Sequence, residues 1–205
     1  MKKTVKVDIV NSSESTKEYG VGFYYFTYLG YVLLSVTLVG IGPVLMVFNN
    51  TNIKKRITCS SYGSGKKNIE LIIGMASFSI LLCIIFIVLG QLFGIKELTS
   101  IKGVFLTLNM LCYVCISLAI AFLACQFVKS DSSIDIISNV LGLGFSFLGG
   151  VFIPLEFLSN NVIKFSRLLP TYWYTNAVSW INNYKIGNDL TLMWKYMGIQ
   201  LLYGI

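Results

Sequence analysis

The sequence predicts an all-α polytopic membrane protein with about five transmembrane helices, and three observations lead to this fold class. The 205 residues are 55% hydrophobic and only 12% charged, whereas about a quarter of the residues in a soluble domain are charged. The apolar residues form long continuous runs, which favours helices that cross a bilayer over a membrane β-barrel with its alternating strands. The third observation is a strongly basic loop between two of these runs.

Five apolar runs are predicted to span the membrane, at residues 23–48, 69–94, 103–128, 134–151 and 190–205. Most of them approach or exceed the roughly 20 residues that an α-helix needs to cross the hydrocarbon core. The tyrosines at the start of the first run are typical of a membrane–water interface.

The basic loop, residues 49–68, determines the predicted topology. It contains no acidic residue and five basic ones: Lys54, Lys55, Arg56, Lys66 and Lys67. Because positive charge in a short loop keeps that loop on the cytoplasmic side, the other loops follow by alternation. Within it, Asn52 is a candidate N-cap of a short helix that places Ile53 and Ile57 on one face.

The outer segment, residues 152–183, interrupts the apolar pattern. Pro154 and Glu156 break an otherwise apolar stretch, and the pair Leu169–Pro170 ends it. Irregular backbone at membrane depth is tolerated only where protein buries it. We therefore expect two short re-entrant helices, followed by an interfacial helix rich in tyrosine and tryptophan.

Both ends of the chain are predicted to belong to a larger protein. Residues 1–20 are polar, and Val5, Val7 and Ile9 alternate with charged residues as in a half-buried strand. We interpret this segment as the remnant of an extracytoplasmic domain, and residues 21–205 as the transmembrane domain. We expect a further span before Met1 and a longer last span.

The composition argues against several functional classes. Histidine is absent, which removes the commonest general base and metal ligand. The span carboxylates, Glu70 and Asp135, lie at span ends and not in an interior, so an intramembrane enzyme is not indicated. The net charge of +7 is concentrated beside the spans, where topology explains it better than nucleic-acid binding does. No catalytic, metal-binding or cofactor-binding residue is predicted in this chain.

Polar residues inside the spans have two interpretations. Asn109, Ser138 and Asn139 fit helix–helix hydrogen bonds, which are the ordinary use of such residues in a membrane. The same residues are candidates for the lining of a translocation pathway. The sequence leaves both interpretations open.

Two segments resemble the permeases of ABC type-2 exporters. The segment GGVFIPLEFLSNNVIKFSRLLPTYWYTNAV (residues 149–178) is similar to the end of that family's penultimate span, where a Gly-Gly-x-x-x-Pro pattern leads into re-entrant helices that finish at a Leu-Pro pair. Five positions match this pattern, with Glu156 in the same turn: Gly149, Gly150, Pro154, Leu169 and Pro170. The earlier segments YLGYVLLSVTLVGIGPVLMVF and NIKKRITCS resemble the family's second span and its cytoplasmic coupling helix.

The resemblance implies the six-span permease subunit of an exporter, a multi-pass protein of a bacterial plasma membrane. It implies pairing with a second permease copy or a homologous permease. Separate cytoplasmic ATP-binding subunits would bind ATP and Mg and carry out the hydrolysis. The residues that would couple to them are Ile53, Lys54, Lys55, Arg56 and Ile57.

The nearly uncharged spans favour an apolar or amphiphilic cargo, such as a drug, a lipid-like molecule or a peptide. The alternative function is a non-catalytic immunity protein that sequesters a peptide at the membrane. Such a protein would not need the coupling helix.

Overall fold

The computed structural model describes residues 20–59, 63–127, 131–184 and 189–204. Eight α-helices occur in these residues, and no strand does. They are α1 (Val21–Asn49), α2 (Thr51–Cys59), α3 (Ser64–Leu92), α4 (Ile101–Phe127), α5 (Asp131–Leu148), α6 (Asn160–Ser166), α7 (Pro170–Asn182) and α8 (Thr191–Leu202). Short 3₁₀ turns occupy Lys96–Thr99 and Leu155–Phe157. The all-α prediction is confirmed. The strand predicted at residues 5–9 lies outside the described residues.

Three of these helices are long and apolar enough to cross a bilayer, by length and composition, within the part of the chain that the structure describes. They are α1, α3 and α4, and they overlap the predicted spans at 23–48, 69–94 and 103–128. The 18 residues of α5 extend for about 27 Å. The 12 residues of α8 extend for about 18 Å, against a hydrocarbon thickness of about 30 Å.

The central helix is α1, which packs along α4 and α5 and also contacts α7. Its buried side chains recur at the three- and four-residue spacing of one helix face: Phe26, Leu29, Leu33, Leu34, Leu38, Ile41 and Leu45. Gly42 lets α5 approach closely, since a Cβ atom there would lie 2.8 Å from Cγ2 of Ile134. The absence of a side chain at this position therefore brings α1 and α5 into close contact.

A peripheral helix, α3, makes few contacts with the rest of the bundle. Only 17% of its most apolar 18-residue stretch is buried, whereas the corresponding share is 39% in α1 and 44% in α4. Its exposed face consists of isoleucine, leucine and valine, as Ile73, Ile84 and Val88 illustrate. In a membrane this face meets lipid.

The segment after α5 turns sharply at two glycines and returns to the bundle. Gly150 has a φ of +85°, which an L-residue with a side chain adopts only at a cost. Two hydrogen bonds close the end of α5, from the Gly149 N–H to the Phe145 carbonyl at 2.7 Å and from the Val151 N–H to the Ser146 carbonyl at 2.9 Å. The short helix α6 follows, and Pro170 then occupies the first turn of α7, where its missing N–H costs nothing.

The helix predicted at the end of the outer segment is α7, and its position at the membrane interface stays a prediction. In α7, Tyr174, Val178 and Ile181 are fully buried, and the helix packs against α1, α4, α5 and α8. Tyrosine and tryptophan occur both at membrane surfaces and in polar-lined cores, so the composition of this segment did not distinguish the two positions.

Candidate functional site

A single non-helical residue joins α2 to α1. Asn50 has extended dihedral angles, φ −60° and ψ 131°, between the last residue of α1 and the first of α2. Its side-chain oxygen accepts a hydrogen bond from the Asn52 N–H at 2.9 Å, which satisfies one of the free N–H groups at a helix start. The N-cap is therefore Asn50 and not the predicted Asn52, because the helix begins two residues earlier than the sequence indicated.

The helix α2 is amphipathic and presents its charge outward. Ile53 and Ile57 are half-buried, whereas Lys55 and Arg56 are exposed. Lys54 lies within the same helix. Arg56 is in the last turn, where a positive charge interacts favourably with the helix dipole. We call the end of the bundle that carries α2 and the first turn of α3 the basic end.

The predicted turn residues lie in the segment that connects α5 to α7. The side-chain hydroxyl of Thr175, in α7, donates a hydrogen bond to the Gly149 carbonyl at 2.6 Å. A Cβ atom on Gly149 would lie 2.6 Å from Cβ of Thr171, so only glycine permits this approach. Pro154 precedes the 3₁₀ turn that contains the exposed Glu156.

Asn109 lies at the centre of a buried polar cluster that joins three helices. Its side-chain N–H donates to the Tyr174 carbonyl at 3.3 Å, and its side-chain oxygen accepts from Nε2 of Gln200 at 2.8 Å. Tyr174 in turn donates from its hydroxyl to the Phe26 carbonyl at 2.6 Å. The cluster thereby ties α4, α7 and α8 to the central helix.

Tyr113 extends this cluster along α4. Its hydroxyl is hydrogen-bonded to Oγ1 of Thr171 at 3.0 Å, and its ring lies 4.5 Å from that of Tyr174, centroid to centroid. Both tyrosine side chains are fully buried. Sequence reasoning missed Tyr113, Thr171, Tyr174 and Gln200. A glutamine and a threonine within apolar helices are the signal that would have found two of them.

The other two predicted pathway residues lie on α5. Ser138 is buried and donates to the Ser35 carbonyl of α1 at 3.3 Å. Asn139 is exposed, next to the exposed Val140. The structure thus places the predicted site residues in separate regions: the α2 group at the basic end, the turn residues after α5, and the polar residues along α4 and α5. Their role in a pathway stays a prediction.

Outside the spans, hydrogen bonds displace the pKa of the Asp189 carboxyl group. Oδ1 of Asp189 accepts hydrogen bonds from the Thr191 hydroxyl at 2.6 Å and from the Thr191 N–H at 3.0 Å. These bonds stabilise the carboxylate and lower the pKa of Asp189. They also fix the start of α8. Among the described residues, no group of three or more histidine, cysteine, aspartate or glutamate side chains converges as metal ligands do.

A comparison with protein families finds a match over nearly the whole chain. The model of the family described as "ABC-2 family transporter protein" matches residues 2–205. No curated protein and no solved structure gives a significant match.

Proposed function

Because the chain belongs to the ABC-2 transporter family, we propose that it is the transmembrane permease subunit of an ATP-binding-cassette exporter. ATP hydrolysis, with its Mg, then belongs to a separate subunit, and this chain supplies the route through the membrane. The proposed location is a bacterial plasma membrane, with the basic end of the bundle in the cytoplasm. The absence of acidic residues from the basic loop supports this orientation.

The observation that carries the proposal is the position and charge of α2. It lies between two spans, it contacts α1, and Lys55 and Arg56 point away from the bundle. A short amphipathic helix of this kind fits a groove on a soluble subunit and transmits a rigid-body motion to the helix that carries it. The proposed coupling residues are Ile53, Lys54, Lys55, Arg56 and Ile57.

A second permease chain is the proposed partner within the membrane. The faces of α1 and α5 that point out of the bundle are apolar, with Val39, Ile136 and Val140 exposed and Asn139 beside them. A pathway between two such faces would suit an apolar or amphiphilic cargo, such as a drug, a lipid-like molecule or a peptide, because such a cargo does not require charged groups in its route.

The proposal is tested by comparing a variant that loses two positive charges at the basic end of the bundle with a variant that loses two at the opposite end. The variant Lys55→Gln/Arg56→Gln removes two exposed charges from α2. The matched control, Lys96→Gln/Lys164→Gln, removes two exposed charges from the opposite end. After purification in mild detergent from the native host, we would measure the amount of co-purifying ATP-binding subunit and its ATPase activity.

We expect the α2 variant to lose the ATP-binding subunit by more than about tenfold, because breaking interfacial charge pairs typically costs about 2 kcal/mol or more. The control should retain it. Retention in the α2 variant would refute the coupling role. If even the unaltered chain carries no ATP-binding subunit, the sequestering immunity protein becomes the better explanation.

The topology is tested separately with Cys59, an exposed thiol at the end of α2. A membrane-impermeant maleimide should label it in inverted vesicles and not in intact cells. A Cys115→Ser background is needed, since Cys115 is also exposed, on the surface of α4. Labelling from outside intact cells would contradict the proposed orientation.

A further inference from the structure

An apolar cavity of about 560 Å³ lies between α1 and α3 at the basic end. Val44 and Phe48 of α1 form one wall, and Leu71, Met75 and Phe78 of α3 form the other. Ile57 of α2 closes the end that is nearest the polar loop. We call this cavity the basal groove.

The groove is open because α1 and α3 meet near its inner end and then separate. They touch at Gly40, where an added Cβ would lie 2.6 Å from Cζ of Phe78. Beyond this contact, towards the basic end, neither helix fills the space between them. At Gly74, which lines the groove, an added Cβ would meet no atom within 4 Å. The volume lies within the range of about 300–1,000 Å³ that is typical of ligand sites.

The mouth of the groove carries a positioned positive charge. The ammonium group of Lys67 lies 5.5 Å from the centre of the Phe48 ring, within the range of a cation–π contact. Lys66 is exposed next to it, and Glu70 is the one acidic residue among those that line the groove. Lys55 and Arg56 are exposed on α2, whose Ile57 lines the same groove, so the excess charge at this end of the bundle is positive.

We propose that the basal groove binds one anionic phospholipid from the leaflet that meets the basic end. Its acyl chain occupies the apolar space between α1 and α3, and its phosphate contacts Lys67. Basic pockets between transmembrane helices are known to receive lipid head groups, and no side chain of the described residues fills the space between the apolar walls of this one. The bound lipid would support the loosely packed α3 next to the coupling helix. It is a resident ligand, distinct from the transported cargo.

The experiment uses the full chain reconstituted in phosphatidylcholine vesicles without nucleotide or ATP-binding subunit, so its outcome does not depend on transport. The probes are phosphatidylglycerol and phosphatidylcholine, each with a photoreactive diazirine on an acyl chain. After illumination, mass spectrometry maps the cross-linked peptides. We expect labels on α1 and α3 around the groove, with about fivefold more from phosphatidylglycerol, which corresponds to one lysine near an anionic head group.

Two pairs of variants make the assignment specific. Gly74→Leu places a side chain in the groove, whereas Gly198→Leu makes the same change at an exposed position of α8 where an added Cβ also meets no atom within 4 Å. Lys67→Gln removes the charge at the mouth, and Lys164→Gln removes an exposed charge at the opposite end of the bundle. Labelling in the groove should fall about fivefold in Gly74→Leu and in Lys67→Gln, and it should not change in the two controls.

Equal labelling by the two probes would overturn the proposal, because it would indicate ordinary lipid at a hydrophobic surface. Unchanged labelling in Gly74→Leu would also overturn it. A separate experiment adds ATP and the ATP-binding subunit and measures translocation of fluorescent phosphatidylglycerol. Translocation that is lost in Gly74→Leu would show that the lipid is a cargo and would refute its role as a resident ligand.

Discussion

Replacing Gln200 with methionine removes the amide that links α8 to α4. The resulting loss of stability depends on Asn109, the residue to which this amide donates its hydrogen bond. Both side chains are fully buried, and Nε2 of Gln200 donates to Oδ1 of Asn109 at 2.8 Å. Oε1 of Gln200 has no hydrogen-bond partner in the described structure, so methionine also removes one unsatisfied acceptor. The two effects oppose each other, and we expect Gln200→Met to lower the free energy of unfolding by about 1 kcal/mol.

Replacing the partner residue, Asn109→Leu, should lower the free energy of unfolding by more than Gln200→Met does. It removes the bond to Gln200 and the bond to the Tyr174 carbonyl, and it leaves the whole glutamine amide buried without a partner. An unsatisfied buried polar group costs about 1–3 kcal/mol, so we expect a loss of about 2–3 kcal/mol. The double variant should be more stable than the sum of the two losses predicts, by about 1 kcal/mol, because no amide remains to be orphaned.

The assay is equilibrium unfolding in mixed detergent micelles, followed by the fluorescence of the three tryptophans. Gln91→Met serves as the matched control, since Gln91 is exposed on α3 and its replacement should change stability by less than about 0.5 kcal/mol. Equal costs for the two single variants, or losses that add within about 0.3 kcal/mol, would refute the argument that this hydrogen bond joins α4 and α8.

Three further predictions concern backbone approach and the buried tyrosine, with thermal unfolding of the solubilised protein as the measurement. Gly149→Ala should lower stability by more than about 2 kcal/mol, because its Cβ would lie 2.5 Å from a backbone oxygen, and Gly150→Ala by at least about 1 kcal/mol because of its φ of +85°. Gly144→Ala, where an added Cβ meets no atom within 4 Å, is the control and should be neutral or stabilising; a loss as large as those of its neighbours would contradict the reasoning. Gly42→Ala should weaken the α1–α5 contact by about 1–3 kcal/mol, and an unchanged melting temperature would show that α5 adjusts freely. Tyr174→Phe removes only a hydroxyl group that donates to α1, so it should cost about 1 kcal/mol; a loss above about 3 kcal/mol would indicate disrupted packing instead.

The sequence predicts the long helices well, because continuous apolar runs have few alternatives to a membrane span. The departures are informative. The third helix begins at Ser64, five residues before the predicted span at 69, because hydropathy reports the part of a helix inside the hydrocarbon and not its polar first turn. The packing of α7 within the bundle was not predicted for another reason: aromatic residues indicate partial polarity, which a buried hydrogen-bonded core satisfies as well as a membrane surface does.

The candidate site was predictable only where its signal is local. Charge and spacing within a few residues were enough to predict the helix that contains Lys55 and Arg56. The hydrogen bond from Tyr174 to Phe26 joins residues 148 positions apart, and no pattern within either helix specifies that pairing. The basal groove is even harder to predict from the sequence. It depends on the angle between two helices and on Gly74, which resembles any other small residue in an apolar run.

The extended dihedral angles of Asn50 have a mechanical consequence for force applied to α2. One residue separates this helix from α1, whereas four residues separate it from α3 in the sequence. A displacement of α2 is therefore passed first to α1, which packs along both α4 and α5. The peripheral α3 makes few contacts with the bundle, so it can stay in place while α1 moves.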